Sequence, residues 1–178
     1  MTQGRPLQKQ EIPLLWTIDR RERIERIGYH TPAGIEFREE RYDMGGWPPG
    51  EAEKGESMLR ECFDRGGWFR GEFNGERLVA AAVLDSRFLP GEGRRLQLSF
   101  LHVGHGARGR GLGRKLFELA AAEARARGAT HLYISATPSE NTIGFYRGMG
   151  CCVTARVDPE LFALEPLDIH FECPLLAQ

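Results

Sequence analysis

The stretch Val103-Gly104-His105-Gly106-Ala107-Arg108-Gly109-Arg110-Gly111-Leu112-Gly113-Arg114-Lys115-Leu116 decides how this chain is read. An apolar strand runs into closely spaced glycines and then into a strong helix. Glycine lets the backbone turn sharply and lets a ligand approach without meeting a Cβ atom. The free N–H groups of the first helical turn point at the same place, which suits a phosphate or pyrophosphate. Arg108, Arg110 and Arg114 can add charge-assisted hydrogen bonds to the same anion.

Downstream of the turn, Leu112, Leu116, Phe117, Ala120 and Ala124 share one side of a helix through Arg127, with Gly128 just past its end. His131 to Ser135 follows as a short strand, and Ser139 caps a second helix through Arg147. Cys151 to Arg156 resumes strand character. Ile169, Phe171 and Cys173 then alternate with His170 and Glu172, the pattern of a half-buried strand. Upstream, Trp68 to Phe73 and Arg77 to Phe88 flank Asn74-Gly75 as a tight hairpin, and Arg94 to Val103 is a third long strand. This order predicts an α+β fold: a central, mostly antiparallel mixed sheet flanked by helices, not a doubly wound parallel sheet.

The N-terminal part reads less clearly. The first fifteen residues form a loose arm. Asp19 caps a short helix, with Ile24 and Ile27 on its apolar edge and Gly28 at its end. Ile35 to Arg41 reads as a strand and Gly45 to Gly50 as a loop. Met58, Leu59, Cys62 and Phe63 recur at helical spacing before Gly66-Gly67 stops the run.

A chain of 178 residues suits one domain. Its 41% hydrophobic and 28% charged residues are an ordinary soluble balance. With 24 basic and 25 acidic residues there is no global field to hold a polyanion, so nucleic acid is not an expected partner. Neither a secretory segment nor a long apolar stretch is evident, so a cytoplasmic protein without membrane attachment is expected. Cys62, Cys151, Cys152 and Cys173 make no CxxC pair and read as free thiols. The five histidines are scattered, and no metal site is expected.

Three glycine motifs compete at the turn. Gly104-x-Gly106-x-x-Gly109 formally matches the dinucleotide fingerprint, but His131 to Ser135 ends without the acidic residue that fingerprint wants. A P-loop requires Gly-Lys followed by Ser or Thr, whereas Gly113 precedes Arg114-Lys115-Leu116. A glycine-rich connection with no ligand is the bland reading. The third motif carries a resemblance. Arg108-x-x-Gly111-x-Gly113, preceded by Leu101-His102-Val103, resembles the R/Q-x-x-G-x-G/A signature of the GNAT acetyltransferase superfamily. Asn141-Thr142-Ile143-Gly144-Phe145-Tyr146-Arg147-Gly148-Met149-Gly150-Cys151 is similar to a second block of that family, with Gly144 in place of alanine and Cys151 in place of phenylalanine. The resemblance covers roughly Trp68 to Cys173.

The resemblance implies an acetyl-CoA-dependent N-acetyltransferase with no metal. It implies that the backbone at Leu101 and Val103 pairs with pantetheine amides between two splayed parallel strands. The amides of Arg108, Gly109, Arg110, Gly111, Leu112 and Gly113, with the Arg114 side chain, would hold the pyrophosphate. Asn141 would bond the cofactor arm, and Tyr146 would stand near its sulfur. For catalysis, Val103 N–H would polarise the thioester carbonyl and Tyr146 would protonate the leaving thiolate, since a phenol stays protonated at neutral pH. Many relatives carry Glu near the positions of Gln97 and Ser99; this chain has no carboxylate at either, although Ser99 can order a water. His102, on the strand face opposite Leu101 and Val103, and His105 in the turn read as hydrogen-bonding or solvent-facing residues before they read as bases.

Residues 1–67 form a family-variable region expected to shape the acceptor site within one GNAT-like domain spanning 1–178. Glu36, Glu39, Glu40 and Asp43 make it locally acidic, and Trp47, Trp68 and Phe69 can wall a pocket. The expected partner is a small-molecule or peptide amine. A noncatalytic CoA sensor and a transferase of longer acyl groups remain open. The alternating Ile169, Phe171 and Cys173, with Leu175 and Leu176 beyond, are expected to form a sheet edge, protected either by pairing in a homodimer or by cover within the same subunit.

Overall fold

The computed structural model describes residues 2–175. Among them, nine strands and four helices follow one another: β1 (Gln3–Pro6), β2 (Glu22–Thr31), β3 (Gly34–Met44), α1 (Glu51–Asp64), β4 (Trp68–Asn74), β5 (Arg77–Phe88), β6 (Arg95–Val103), α2 (Leu112–Ala126), β7 (His131–Ala136), α3 (Glu140–Gly148), β8 (Cys152–Val153), α4 (Pro159–Leu164) and β9 (Ile169–Pro174). Seven of the strands make one sheet in the order β1-β4-β5-β6-β7-β9-β8, while β2 and β3 pair as a separate hairpin. Of these neighbours only β6 and β7 run parallel; the other pairs in the sheet are antiparallel. The mixed, mostly antiparallel sheet expected from the element order is present.

Strand alternation splits the core into two layers. Ala80, Ala82 and Leu84 of β5 face α2, where Leu116, Phe117, Ala120 and Ala124 are buried against them. Ala81 and Val83 face the other way, onto Leu59 and Cys62 of α1 and onto Leu7, Ile12 and Leu15. The small alanines let α2 lie close to the sheet, and burying its apolar stripe is the main force holding it there. No helix among the described residues is long and apolar enough to cross a membrane.

The N-terminus departs from its sequence reading. The first fifteen residues are not a loose arm: β1 pairs with β4, and a 3-10 helix at Lys9–Thr17 buries Ile12 and Leu15 completely. Arg5 and Glu11 clamp the connection with two hydrogen bonds of 2.6 and 2.8 Å. The helix expected between Asp19 and Gly28 is strand β2. Its register with β3 satisfies the backbone, a long-range pairing that a three-residue apolar spacing cannot reveal. Gly28 therefore ends nothing. It sits in mid-strand, its N–H donating to Pro138 O at 2.8 Å, and a Cβ there would fall 2.4 Å from Ile143 Cδ1 of α3. The missing side chain is what brings the hairpin against α3.

At the other end, the strand expected over Cys151–Arg156 shrinks to Cys152–Val153, and α4, capped by Asp158, is an element the sequence reading lacks. Strand β9 is not the sheet edge: it lies between β7 and β8, and both Phe171 and His170 are buried. The edge-strand reason for expecting a homodimer is thereby removed; Leu176, invoked with it, lies outside the described residues.

Two glycines beside or within the same helix should respond oppositely to alanine. Gly28→Ala must push Ile143 aside and is expected to cost about 1–3 kcal/mol of stability, the range for overpacking. Gly144 is exposed within α3, with nothing within 4 Å of where a Cβ would stand. Its replacement by alanine should gain about 0.4–1 kcal/mol. Urea unfolding of both variants checks the pair; a neutral Gly28→Ala would contradict the close approach.

Candidate active site

Strands β6 and β7 pair at Arg95↔His131, Leu96↔Leu132 and Gln97↔Tyr133, and then part. The closed end is locked by Arg95, 4% exposed, which donates to Glu172 Oε1 (3.1 Å) and to the carbonyls of Pro90 (2.6 Å) and Arg156 (2.8 Å). Beyond Gln97 a bulge displaces Ser99 from the β5 ladder, where Val83 faces Phe100 and Leu84 faces Leu98. The divergence opens a cleft of about 560 Å³ that passes between the two layers of the molecule.

One wall is the last turn of β6. Gly104 N–H bonds to Val79 O of β5 at 2.8 Å, so strand alternation turns the N–H and C=O groups of Val103 and Leu101 toward the open edge. The Val103 carbonyl accepts from Arg108 Nε at 3.1 Å. Leu101 and Val103 pack with the α2 layer, and Phe100 with the opposite layer, so His102 does lie on the other face from them. His102 is half-buried on the cleft wall, and its surroundings are aromatic. It sits edge-on to Trp47 and Phe100, with ring centroids 4.8 and 4.6 Å away. Burial first, then the positive charges of Arg20 and Arg108, pull it down to about 3. A neutral imidazole that resists protonation so strongly is a poor base. His105, by contrast, is exposed and its Nδ1 lies 3.2 Å from Arg21 O.

The glycine turn forms the second wall. Gly109 and Gly111 have φ of +74° and +78°, conformations in which an L side chain is strained. Helix α2 starts with Gly111 in the cap position and no side chain accepting from its first amides. The contrast with α3 is chemical: there Ser139 Oγ accepts from Thr142 N at 3.2 Å. The α2 terminus therefore offers unpartnered N–H groups and the positive end of a helix dipole to the cleft. Gly113 lets α2 and α3 approach closely: a Cβ there would lie 3.2 Å from the Phe145 ring.

Helix α3 supplies the third wall. Tyr146 is 6% exposed, its ring packed among Phe145, Phe117 and Phe171, and it still lines the cleft. Burial, then the nearby Cys151 and Asp168, push its phenol well above the usual range, so it carries its proton at neutral pH.

Of the residues singled out from sequence, Ser99, Leu101, Val103, Arg108, Gly109, Gly111, Leu112, Gly113, Arg114, Asn141 and Tyr146 line this one cleft, and Arg110 does not. Others carry no such signal. Glu22 of β2 reaches across the cleft, accepting from Asn141 Nδ2 at 3.1 Å and standing 3.6 Å from Arg108 Nη1. Arg20, Met44, Phe100, Ser135 and Thr137 also line it. Arg20 lies over the Trp47 ring at 4.8 Å and pairs with Glu51 at 3.0 Å. Nothing local in the sequence marks Arg20 or Glu22, because the spacing around them reads as a helix where the β2–β3 hairpin stands. Of the aromatic residues expected to wall a pocket, Trp47 packs against Phe100 and His102 behind this cleft, and neither Trp68 nor Phe69 lines it.

Comparison with known proteins agrees with this geometry. The family model described as the acetyltransferase (GNAT) family matches residues 35–151, reaching further upstream than the sequence resemblance does. No curated protein matches the chain by sequence. Among solved structures, a nourseothricin acetyltransferase superposes with a TM-score of 0.71 at 22% identity, covering 98% of this chain and 99% of that one. The PaiA N-acetyltransferase of Thermoplasma acidophilum, in complex with coenzyme A, gives 0.63 at 14% identity over 98% and 99% of the two chains. The ribosomal-protein-S18-alanine N-acetyltransferase of Escherichia coli gives 0.61 at 14% identity over 100% and 96%. At these identities the structures attest the fold, and the family model spans well over half of the sequence. The chain belongs to the GNAT acetyltransferase family.

Proposed function

We propose that this chain transfers the acetyl group of acetyl-CoA to a primary amine of a small molecule or peptide by direct attack. The observation that carries the reading is the cleft at the β6–β7 divergence, with the uncapped N-terminus of α2 and the buried, protonated Tyr146 both on its walls. The residues fit the cofactor's chemistry. The glycine turn leaves room and free amides for a pyrophosphate, with Arg108 and Arg114 beside it. The open-edge backbone of Leu101 and Val103 supplies the donors and acceptors that pantetheine amides require. Bound there, acetyl-CoA supplies an activated acyl group with a thiol leaving group.

In this reading Val103 N–H donates to the thioester carbonyl as negative charge gathers on it, and a donor fixed in place before reaction needs no reorganisation. Tyr146 gives its proton to the departing sulfur. Glu22 holds Arg108 and Asn141 across the cleft, so it must release them when they turn to a cofactor. The acceptor enters from the opposite layer, where Arg20 and Met44 of the N-terminal region line the cleft beside Phe100 and His102. That region thus shapes the acceptor site of one GNAT-like domain. The neutral His102 between two aromatic rings acts as wall.

Purified protein with acetyl-CoA should acetylate one of a panel of primary amines that includes nourseothricin, spermidine and a peptide with N-terminal alanine, read by thiol release. Binding of CoA without turnover on any amine would favour a noncatalytic sensor instead, and turnover only with longer acyl-CoA would move the class. Gly111→Val should weaken CoA binding at least roughly tenfold in a folded protein, since a side chain at φ +78° both strains and fills the anion site. Unchanged calorimetric affinity would remove the pyrophosphate from this turn. Tyr146→Phe should lower kcat roughly 10- to 1000-fold with little change in CoA affinity, because the lost proton matters as sulfur gains charge. A folded variant with near-normal single-turnover rate would leave solvent as the proton source.

A further inference from the structure

Amine attack requires removal of a proton from an ammonium ion, and β6 carries no carboxylate at Gln97 or Ser99. A carboxylate stands on the other side of the divergence. Ser135 occupies β7 beyond its last pair with β6 and belongs to the cleft wall. Its Oγ donates to Asp168 Oδ2 at 2.8 Å. Asp168 immediately precedes β9, whose Ile169 pairs with Ala136, so sheet pairing fixes the carboxylate behind Ser135. Its own N–H bonds to Glu165 O at 3.1 Å, which holds the incoming chain. Resting on the transferase reading, we propose that Ser135 and Asp168 are the proton-accepting pair of the transfer, Ser135 Oγ receiving the proton of the acceptor ammonium and passing its own to Asp168.

The chemistry balances. The ammonium donates one proton to Ser135 Oγ as the Ser135 proton moves to Asp168 Oδ2, leaving a neutral amine. The nitrogen lone pair forms the C–N bond, the C–S bond breaks, and sulfur leaves with its electron pair and takes the Tyr146 proton. The extra proton on the new amide nitrogen restores Tyr146, and Asp168 returns its proton to solvent. The products are the amide, CoA thiol and one proton.

The surroundings of Asp168 suit a group that must both gain and lose a proton near neutrality. Burial raises it to about 6, against the Ser135 hydrogen bond that lowers it. Glu165, on the same connection, raises it, and Arg20, from the opposite wall, lowers it. Tyr146 of α3 is close enough for the Asp168 charge to act on its phenol. A carboxylate of this kind is mostly ionised at neutral pH and a far better base than an ordinary surface aspartate. His102 does not compete for the role, since it resists protonation; Glu22 stands beside Arg108 and Asn141, the residues that turn to the cofactor.

The test compares two small acceptors with acetyl-CoA at neutral pH: butylamine, present as its ammonium ion, and hydroxylamine, largely neutral. Asp168→Asn keeps size and a hydrogen-bond acceptor for Ser135, so a folded protein with unchanged CoA affinity is expected. Its rate with butylamine should fall roughly 100- to 10,000-fold, and its rate with hydroxylamine at least about tenfold less than that. Wild-type kcat/KM for butylamine should decline as pH falls through about 6, since the base must be ionised, and Asp168→Asn should lose that limb. Ser135→Ala should mimic the butylamine loss and Ser135→Thr, which keeps the hydroxyl, should restore it. Equal losses with both amines, or none with either, would overturn the assignment; so would an acid limb that survives in Asp168→Asn. Should the wild-type protein acetylate neither amine nor any of the larger panel, the transferase reading itself fails and this assignment with it.

Discussion

The short parallel pairing of β6 with β7 is the constraint on which the rest of this molecule depends. Three residue pairs hold the strands together, and Arg95, buried against Glu172 and two backbone carbonyls, locks that end. Past Gln97 the strands separate while each stays anchored on its far side, β6 to β5 and β7 to β9. A sheet with unpaired backbone in its middle leaves polar groups unsatisfied unless water or a ligand meets them. The cleft is thus a fault in the ladder, kept open by two intact neighbours, and the cofactor binding, acyl transfer and proton removal proposed for this chain each draw on a wall of that fault.

The two layers divide the work. On the α2 side, glycines and an uncapped helix terminus make a surface of backbone donors, a kind of surface that can hold phosphate without a particular side chain. Tyr146 belongs to the same side and is held among aromatic rings, so its proton is positioned by packing. On the other side, Arg20 over Trp47, Trp47 stacked on Phe100 and His102 edge-on to both make an aromatic cluster contributed by the N-terminal region as well as by β6. The hairpin that closes this side is pressed onto α3 through Gly28, and Glu22 at its start reaches the residues of the opposite wall. The proposed cofactor side and the proposed acceptor side are therefore linked through β2.

What could be read from the sequence was what is written locally. Asn74-Gly75 fixed a hairpin, the Leu112 to Ala124 spacing fixed α2, and Ser139 caps α3 as its residue type suggested. The positive-φ turn at Gly109 and Gly111 followed from glycine alone, whereas the roles proposed for Leu101, Asn141 and Tyr146 came with the family resemblance. What stayed illegible depends on distant partners. Ile24 and Ile27 are spaced like a helix edge, but β3 and Ile143 decide that they lie in a strand. The terminal strand reads as an edge because nothing local shows that Cys152–Val153 pairs along its outer side. Asp168 carries no motif and precedes its strand in a connecting segment; only the pairing of β9 with β7 puts it behind Ser135.

The central claim, that the β6–β7 divergence and the α2 terminus together hold acetyl-CoA, is tested most directly by amide hydrogen exchange with and without the cofactor. The account predicts new protection at the open-edge amides of Leu101 and Val103 and at those of Gly109 to Arg114, with the Gly104 amide, already bonded to Val79, little changed. Protection confined to other segments, or saturating cofactor that protects neither stretch, would contradict it.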